Sequence, residues 1–409
     1  METYKSLDVL YRGRKVGTLA LYQRWLGAFQ YDAEWLRSGF SISPFTLPLD
    51  DRVFIPKYDP FEGLFGVFTD SLPDGWGRLL VDRMLLREHE DPNAINSLQR
   101  LAIVGESGMG ALTYHPSVQW QSETTQKELD YYAEECSRIL KSAYSEDLDE
   151  LFRLGGSSGG AQPKIMTEVD GEDWIIKFPS AIDGPDIGRI EYEYSQCAKK
   201  CGIEMSETRL FPSGTCDGYF GTKRFDRRGT ERIHMASASA LLEHSHRLPT
   251  LDYHTLMKLT LGLTQSYKEV EKLYRLMCFN VFAHNRDDHA KNFAFLYEPE
   301  TGWRLAPAFD LTYSNSTGGE HATTVNGNGS NPSLKDLYTV AEAIGLAKET
   351  YQRIAEQVRS VVKDELGDVL KRYSGGNNNG GIALLMAKDS GKPNKTRFIY
   401  VNDENHICY

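Results

Sequence analysis

Over the first hundred-odd residues the apolar positions come in short bursts separated by turn residues, a pattern of short strands and turns. "LDVLYRGRKVGTLAL" reads as a hairpin around its Gly-containing turn, and "FSISPFTLPLD" is extended because each proline disfavours helix in the residue before it. In "DSLPDGWGRLLVDRMLLRE", Asp74 after Pro73 is a cap candidate, and Leu79, Leu80, Met84 and Leu85 share one face of the helix it would start. A polar helical stretch, about Glu123 to Leu154, leads into "LGGSSGGAQPKIMTEVDGEDWIIKFPS". That segment predicts a Gly-rich loop, a strand with Ile165 and Met166, a Gly turn, and a strand with Trp174, Ile175 and Ile176. A helix over "RIEYEYSQCAKKCG", stopped by Gly202, and strands around "GYFGTKRFD" complete this half.

From about His234 the pattern turns mainly helical, through "LMKLTLGL" and "EVEKLYRLMCFNVFAHN". Two strands are then predicted, "NFAFLYE" and "GWRLAPAFDL", followed by helices over "LKDLYTVAEAIGL" and "ETYQRIAEQVRSVVKDELGDVLKRY". The tract "GGNNNGG", residues 375–381, reads as a flexible loop, and there is no internal repeat. A chain of 409 residues exceeds the usual size of one core, so two or three lobes are expected.

Composition narrows the function classes. With 40% hydrophobic and 25% charged residues, and no apolar run long enough to span a bilayer, the chain reads as an ordinary soluble, cytoplasmic protein. Its N-terminus lacks the charged-then-apolar pattern of a signal peptide. The formal net charge of −11 argues against autonomous DNA binding, although "TKRFDRRGTER" offers a local basic patch. The six cysteines contain no CxxC pair, which points to free thiols and away from a disulfide framework or a zinc site.

The polar segment "FNVFAHNRDDHAKNFAF" interrupts an apolar region, and packing alone does not explain so many groups in need of partners. Asp287 is followed five residues later by Asn292, and Asp310 ends the pair of predicted strands. Phosphoryl transfer from ATP in a protein-kinase-like site needs this order of groups. Asp287 would orient the attacking hydroxyl, while Asn292 and Asp310 supply hard oxygen ligands to magnesium. Upstream, Lys177 ends an apolar strand and fits a phosphate contact; Glu191 on the next helix is its ion-pair candidate, and Glu193 lies on a different face. The loop "GGSSGGAQPK" offers backbone amides for phosphate oxygens. Each feature alone has an ordinary explanation: a snorkelling lysine, a solvated glutamate, a glycine linker, a loop serine. Their order along the chain is what carries the reading. His284 and His289, five apart, do not form a helical zinc pair, and a role in ordering the catalytic segment is expected for them.

The motifs "LPDGWGR", "SSGGAQPK", "WIIKFPS", "KRFDR", "NRDDHAKN" and "APAFDL" together resemble the HipA family, toxin kinases of type II toxin–antitoxin modules, over nearly the whole chain. The resemblance implies a mixed α/β (α+β), two-lobed protein-kinase-like fold with a β-rich N-terminal subdomain at 1–120, a kinase N-lobe at 121–232 and a helical C-lobe at 233–409. It implies a serine/threonine kinase using ATP and Mg2+, with Asp287 catalytic and Asn292 and Asp310 binding the metal. Ser158, Gly159, Gly160, Ala161, Lys177, Lys223, Phe225, Asp226 and His289 would contact ATP. Ser157 would be the autophosphorylation site that ejects the loop, because two negative charges there compete with ATP for the same amides. Implied partners are a helix-turn-helix antitoxin, operator DNA through that antitoxin, and a protein substrate such as glutamyl-tRNA synthetase or another aminoacyl-tRNA synthetase, whose modification would inhibit growth. Two departures stand out: Lys223 occupies a hinge position where an acidic residue is expected, and Asp310 is followed by Leu311 and Thr312, so no Phe-Gly flip is expected. A small-molecule phosphotransferase and a non-catalytic corepressor are the alternative functions. "LPDGWGR" is expected to dock the N-terminal module, with Trp76 as packing anchor.

Overall fold

The computed structural model describes residues 4–118, 127–141, 145, 147–180, 183–245, 247–248, 250–316 and 318–374, with the short segments 400–401 and 407–408. The "GGNNNGG" tract lies outside the described residues. The fold is mixed α/β, with three sheets of three or four strands and helices between and beyond them.

The first sheet is antiparallel: Leu26–Tyr31 beside Arg14–Tyr22, then Ser6–Tyr11, then Leu112–His115. Period-two patterning decides its faces, since Leu7, Val9 and Tyr11 are buried while their neighbours are more exposed. The second sheet runs Lys164–Val169, Glu172–Lys177, Tyr219–Lys223, Thr208–Phe211, again antiparallel. The third pairs His234–Ser237 with Ala294–Glu298, and that with Gly302–Leu305. Helices Tyr253–Thr264, Tyr267–Phe282, Leu334–Ile344 and Lys348–Ser374 build the C-terminal part.

Two cores show how these pieces are tied together. The larger runs without a break from the first sheet (Val9, Leu19, Phe29) through Ile190 and Tyr194 of the helix Ile187–Lys200 to Leu256, Met277 and Ile354 of the helical part. The second joins Trp76 and Leu80 to Leu151, Ile165, Trp174, Ile176 and Tyr219, so the first long helix of the N-terminal segment is built into the core of the second sheet. Fully burying an aromatic or aliphatic side chain contributes about 1.5–3 kcal/mol. Detaching the N-terminal segment would therefore expose far more apolar surface than a mobile accessory domain could leave in water.

The polar stretch from Glu123 to Leu154 is helical where it is described, in Leu129–Leu140 and Leu148–Gly155. The structure departs from the sequence expectations in several places. His234–Ser237 is a strand inside the region read as helical; four residues are too short for periodicity to reveal. The strand predicted through "GWRLAPAFDL" stops at Leu305, two residues before Pro307, which has no N–H to continue a ladder. The basic patch is not a free surface: Arg224 is buried against Asp226, the Arg227 and Arg232 guanidiniums are capped by backbone carbonyls, and Arg228 pairs with Glu298. Among the described residues no helix is long and apolar enough to cross a membrane, and Cys136, Cys197, Cys201, Cys216 and Cys278 are free thiols.

Candidate functional site

The second sheet aims one row of side chains at the helical part. Because residues alternate across a strand, Lys177 shares a face with its cross-strand partner Lys164 and with Phe220, whose ring centroid lies 5.7 Å from the Lys177 ammonium. Lys177 is only 8% exposed, and its ammonium donates to both Glu191 and Asp310. Glu191 reaches it from the helix Ile187–Lys200, where Gly188 passes so close to the sheet that a Cβ would stand 2.2 Å from the Gly218 carbonyl oxygen. Glu193 instead pairs with Arg189 on the same helix, 2.6 Å away.

The electrostatics of this triad follow from its burial. Desolvation alone would lower the pKa of the Lys177 ammonium, but the Asp310 and Glu191 carboxylates outweigh it and push the pKa up. Lys177 in turn holds the Asp310 carboxyl well below the usual carboxylate range. Glu191 moves the other way, because burial raises it more than Lys177 lowers it. Asp310 itself has φ of 58°, a left-handed conformation that aspartate tolerates better than most residues and that re-aims the chain just after the third sheet.

Beneath the triad lies the segment after the helix Tyr267–Phe282. His284 takes a positive φ of 54°, and the chain then forms a short 3-10 turn, Ala290–Asn292. The Asp287 side chain is 58% exposed. Although the side chain meets solvent, the protein packed around the carboxyl raises its pKa, opposed by His289 and reinforced by the negative charge of Asp310. The Nε2 of His289 lies 4.0 Å from Asp287 Oδ1. Asn292 donates from Nδ2 to the Asp287 carbonyl at 2.7 Å, which locks the two residues together and leaves the amide oxygen for another partner. Asp287 lies close enough to feel the charges of Asp310 and Lys177, and Asp287, Asn292 and Asp310 offer oxygens of the kind a hard divalent cation takes. Among the described residues no three or more His, Cys, Asp or Glu side chains are grouped so as to hold a metal ion.

The aspartate doublet divides its labour by burial. Asp288 is 1% exposed and accepts from Tyr253 at 2.8 Å, from His321 Nδ1 at 3.0 Å and from the Thr323 amide at 3.2 Å. Asn280 continues the network to Tyr253 and to Asn285. This is where the polar groups of the segment find their partners. The expected ordering histidine is therefore His321, far away in sequence; His284 instead stacks on Tyr313 and contacts Asn315.

The glycine-rich loop follows the helix Leu148–Gly155. Ser157 is 4% exposed and donates to the Ser107 carbonyl at 2.9 Å, and Ser158, also buried, donates to the Gly155 carbonyl at 2.6 Å. Gly159, Gly160 and Ala161 are exposed. Lys164, quoted in the loop motif but given no role, donates to the Gly159 carbonyl at 2.6 Å, and burial beside Lys177 lowers its pKa. Period-two alternation back from Lys177 across the Gly turn is the signal that would have found it.

Three of the ATP-contact expectations sit differently. Lys223 ion-pairs with Glu172 at 2.7 Å, which accounts for a lysine at that position. Phe225 packs on Phe309, centroid to centroid 5.4 Å, next to Asp310. Asp226, expected at the nucleotide, is 0% exposed, and its carboxylate accepts from Arg224, Arg227 and the Gly110 amide at 2.7–2.9 Å, which gives it a structural role. Asp74 is not a side-chain helix cap either; its carboxylate accepts from the Gly160 amide and from Lys291.

Comparison with known families places these observations. Residues 7–115 match the HipA N-terminal domain and residues 156–366 match the HipA-like C-terminal domain. The chain belongs to the HipA family. Among solved structures, HipA from the Shewanella oneidensis MR-1 toxin–antitoxin system, determined with HipB and its operator DNA, is 18% identical, with a TM-score of 0.66 over 89% of this chain and 90% of that one. The Helicobacter pylori proinflammatory kinase CtkA is 15% identical, with a TM-score of 0.35 over 52% of this chain and 94% of that one. No curated protein sequence matches the chain. The HipA likeness extends through both family domains, so the mixed α/β architecture is that of HipA.

Proposed function

We propose that this HipA-family chain is an ATP- and Mg2+-dependent serine/threonine protein kinase, the toxin of a toxin–antitoxin pair. The observation that carries the reading is the convergence of Lys177, Glu191 and Asp310 with Asp287 and Asn292 beneath an exposed stretch of glycine-rich loop. In the transfer, the acceptor hydroxyl oxygen bonds to the γ-phosphorus as the bond from that phosphorus to the β,γ-bridging oxygen breaks, and ADP leaves. The hydroxyl proton passes to Asp287, whose raised pKa suits a proton acceptor. Lys177 neutralises phosphate charge, and Glu191 keeps it in place. Asn292 and Asp310 would hold Mg2+, which would add charge neutralisation at the phosphates. The exposure of Asp287 favours a macromolecular hydroxyl over a small molecule enclosed in a pocket.

The protein acceptor is a translation component such as an aminoacyl-tRNA synthetase, and the regulatory acceptor is Ser157 of the chain's own loop. Because Ser157 is buried on Ser107, its phosphorylation requires the loop to leave its seat. The partner is a helix-turn-helix antitoxin that brings operator DNA, in keeping with a net charge of −11 on this chain and with the HipB and DNA present in the Shewanella complex.

The test is transfer of label from γ-labelled ATP by wild type and Asp287→Gln, with magnesium present or chelated, followed by phosphosite mapping. Label that depends on Asp287 and magnesium and maps to residues 155–164 is expected. Undiminished transfer by Asp287→Gln would remove that residue from the mechanism.

A further inference from the structure

The "LPDGWGR" stretch does more than anchor a helix. Gly75, at φ of 44°, lies against the Gly160 carbonyl, where a Cβ would come within 2.3 Å of the oxygen, and the Trp76 amide donates to that same oxygen at 2.9 Å. The Trp76 indole donates to the Lys164 carbonyl at 3.0 Å. These contacts set the N-terminal segment on the exposed part of the glycine-rich loop and bring Asp74 over it. One Asp74 oxygen accepts from the Gly160 amide, and the other accepts from the Lys291 ammonium at 2.6 Å. Lys291 precedes Asn292 in the 3-10 turn after Asp287, so a single carboxylate bridges the loop and the catalytic segment.

A loop amide and a lysine ammonium converging on one anion is the donor set that recognises a phosphate oxygen. We propose that Gly160 N–H and Lys291 form a subsite for a nucleotide phosphate, and that Asp74 occupies this subsite as a built-in anion until nucleotide displaces it. The N-terminal segment thereby competes with ATP at the cleft. Lys291 has a second acid close by: Asp70, anchored on Ser237 by hydrogen bonds of 2.6 and 2.7 Å, whose carboxyl burial raises while Lys291 lowers it. Lys291 makes no direct ion pair with Asp70, so loss of the Asp74 charge frees its ammonium to turn to a phosphate. The inference rests on the reading of the cleft as an ATP site.

The two ends of the Asp74–Lys291 pair give opposite predictions, which a purely structural ion pair does not. Binding of a fluorescent ATP analogue to the full chain, with ATP displacement, is measured for wild type, Asp74→Asn and Lys291→Gln, each checked by thermal melting. Asp74→Asn is expected to tighten nucleotide binding several-fold and Lys291→Gln to weaken it several-fold. Shifts of the same sign, or none in either variant, would overturn the subsite while leaving the kinase reading intact. No nucleotide binding by folded wild type would instead overturn the ATP site itself. Should Asp74→Asn melt too low to assay, Asp74→Glu serves. Its longer side chain still occupies the subsite and is expected to leave affinity within about two-fold of wild type; tightening as large as a charge-removing change predicts would refute the competition.

Discussion

Asp226→Asn tests the reassignment of that residue from a nucleotide contact to a structural hub. The substitution keeps the side-chain shape but removes the charge facing Arg224 at 2.8–2.9 Å and Arg227 at 2.8 Å, and side-chain exposures in this group are 0%, 5% and 11%. The carboxylate also takes the Gly110 amide at 2.7 Å, so it joins the chain leaving the second sheet to the segment after the helix Ser97–Val104. Two guanidiniums contact this one carboxylate, and burial together with the neighbouring Arg224 and Arg232 already pulls the Arg227 pKa down to about 10. Removing one member of a buried ion pair costs about 3–5 kcal/mol, because the remaining charges are left uncompensated. For a cooperative unit of about 150–250 residues, that corresponds to a fall in Tm of about 6–20 °C. Calorimetry or monitored thermal unfolding of Asp226→Asn beside Arg228→Ala is the assay. Arg228 is 62% exposed where it pairs with Glu298, and its loss should cost no more than about 1 kcal/mol. An Asp226→Asn protein that melts within about 2 °C of wild type but loses nucleotide affinity would refute the hub and restore the adenine-side role.

Gly77→Ala sets two effects against each other. Helix propensity favours alanine by about 1 kcal/mol, but the new Cβ would meet the Ser158 carbonyl oxygen at 2.4 Å and Pro73 Cβ at 2.8 Å. The clash is expected to win, lowering both Tm and nucleotide affinity; a more stable variant with unchanged affinity would show that the loop is not seated on this helix. A pH profile of stability separates two buried groups. His234 is held down to about 4 by burial, with Nε2 2.9 Å from the Ile42 carbonyl oxygen, so the unfolded chain takes up its proton at about 6.5 and the folded one does not until about 4. Its contribution to stability therefore declines as pH falls through that window. Glu243, raised to about 7 by burial, binds a proton earlier in the folded state and works in the opposite sense, weakening the fold as pH rises towards 7. In unfolding measurements from pH 7 to 4.5, His234→Gln should shift the slope towards greater stability in acid, and Glu243→Gln should shift it the other way. Slopes that both match wild type would contradict these assignments.

Sequence alone determined most of the local structure and the order of the chemical groups. Apolar runs broken by glycine turns marked Ser6–Tyr11, Arg14–Tyr22 and Glu172–Lys177, a shared apolar face marked Gly75–Arg87, and the Gly202 stop marked the end of Ile187–Lys200. Lys177 and Glu191 stood out because charge at the end of an apolar strand and on the following helix calls for a partner. Tertiary structure decided what no local pattern encodes: which charges are buried, and against what. Asp287 and Asp288 are neighbours of the same type, yet one faces the cleft and the other is sealed by Tyr253 and by His321, 33 residues away in the chain. Asp226 sits in a motif that reads as adenine-binding, but its burial by Arg224, Arg227 and Gly110 depends on a segment more than a hundred residues upstream. Asp74 has the local signature of a helix cap, and its carboxylate is instead drawn across to Gly160 and Lys291. In each case the deciding energy is that of desolvated charge, which is set by atoms brought together from distant parts of the chain.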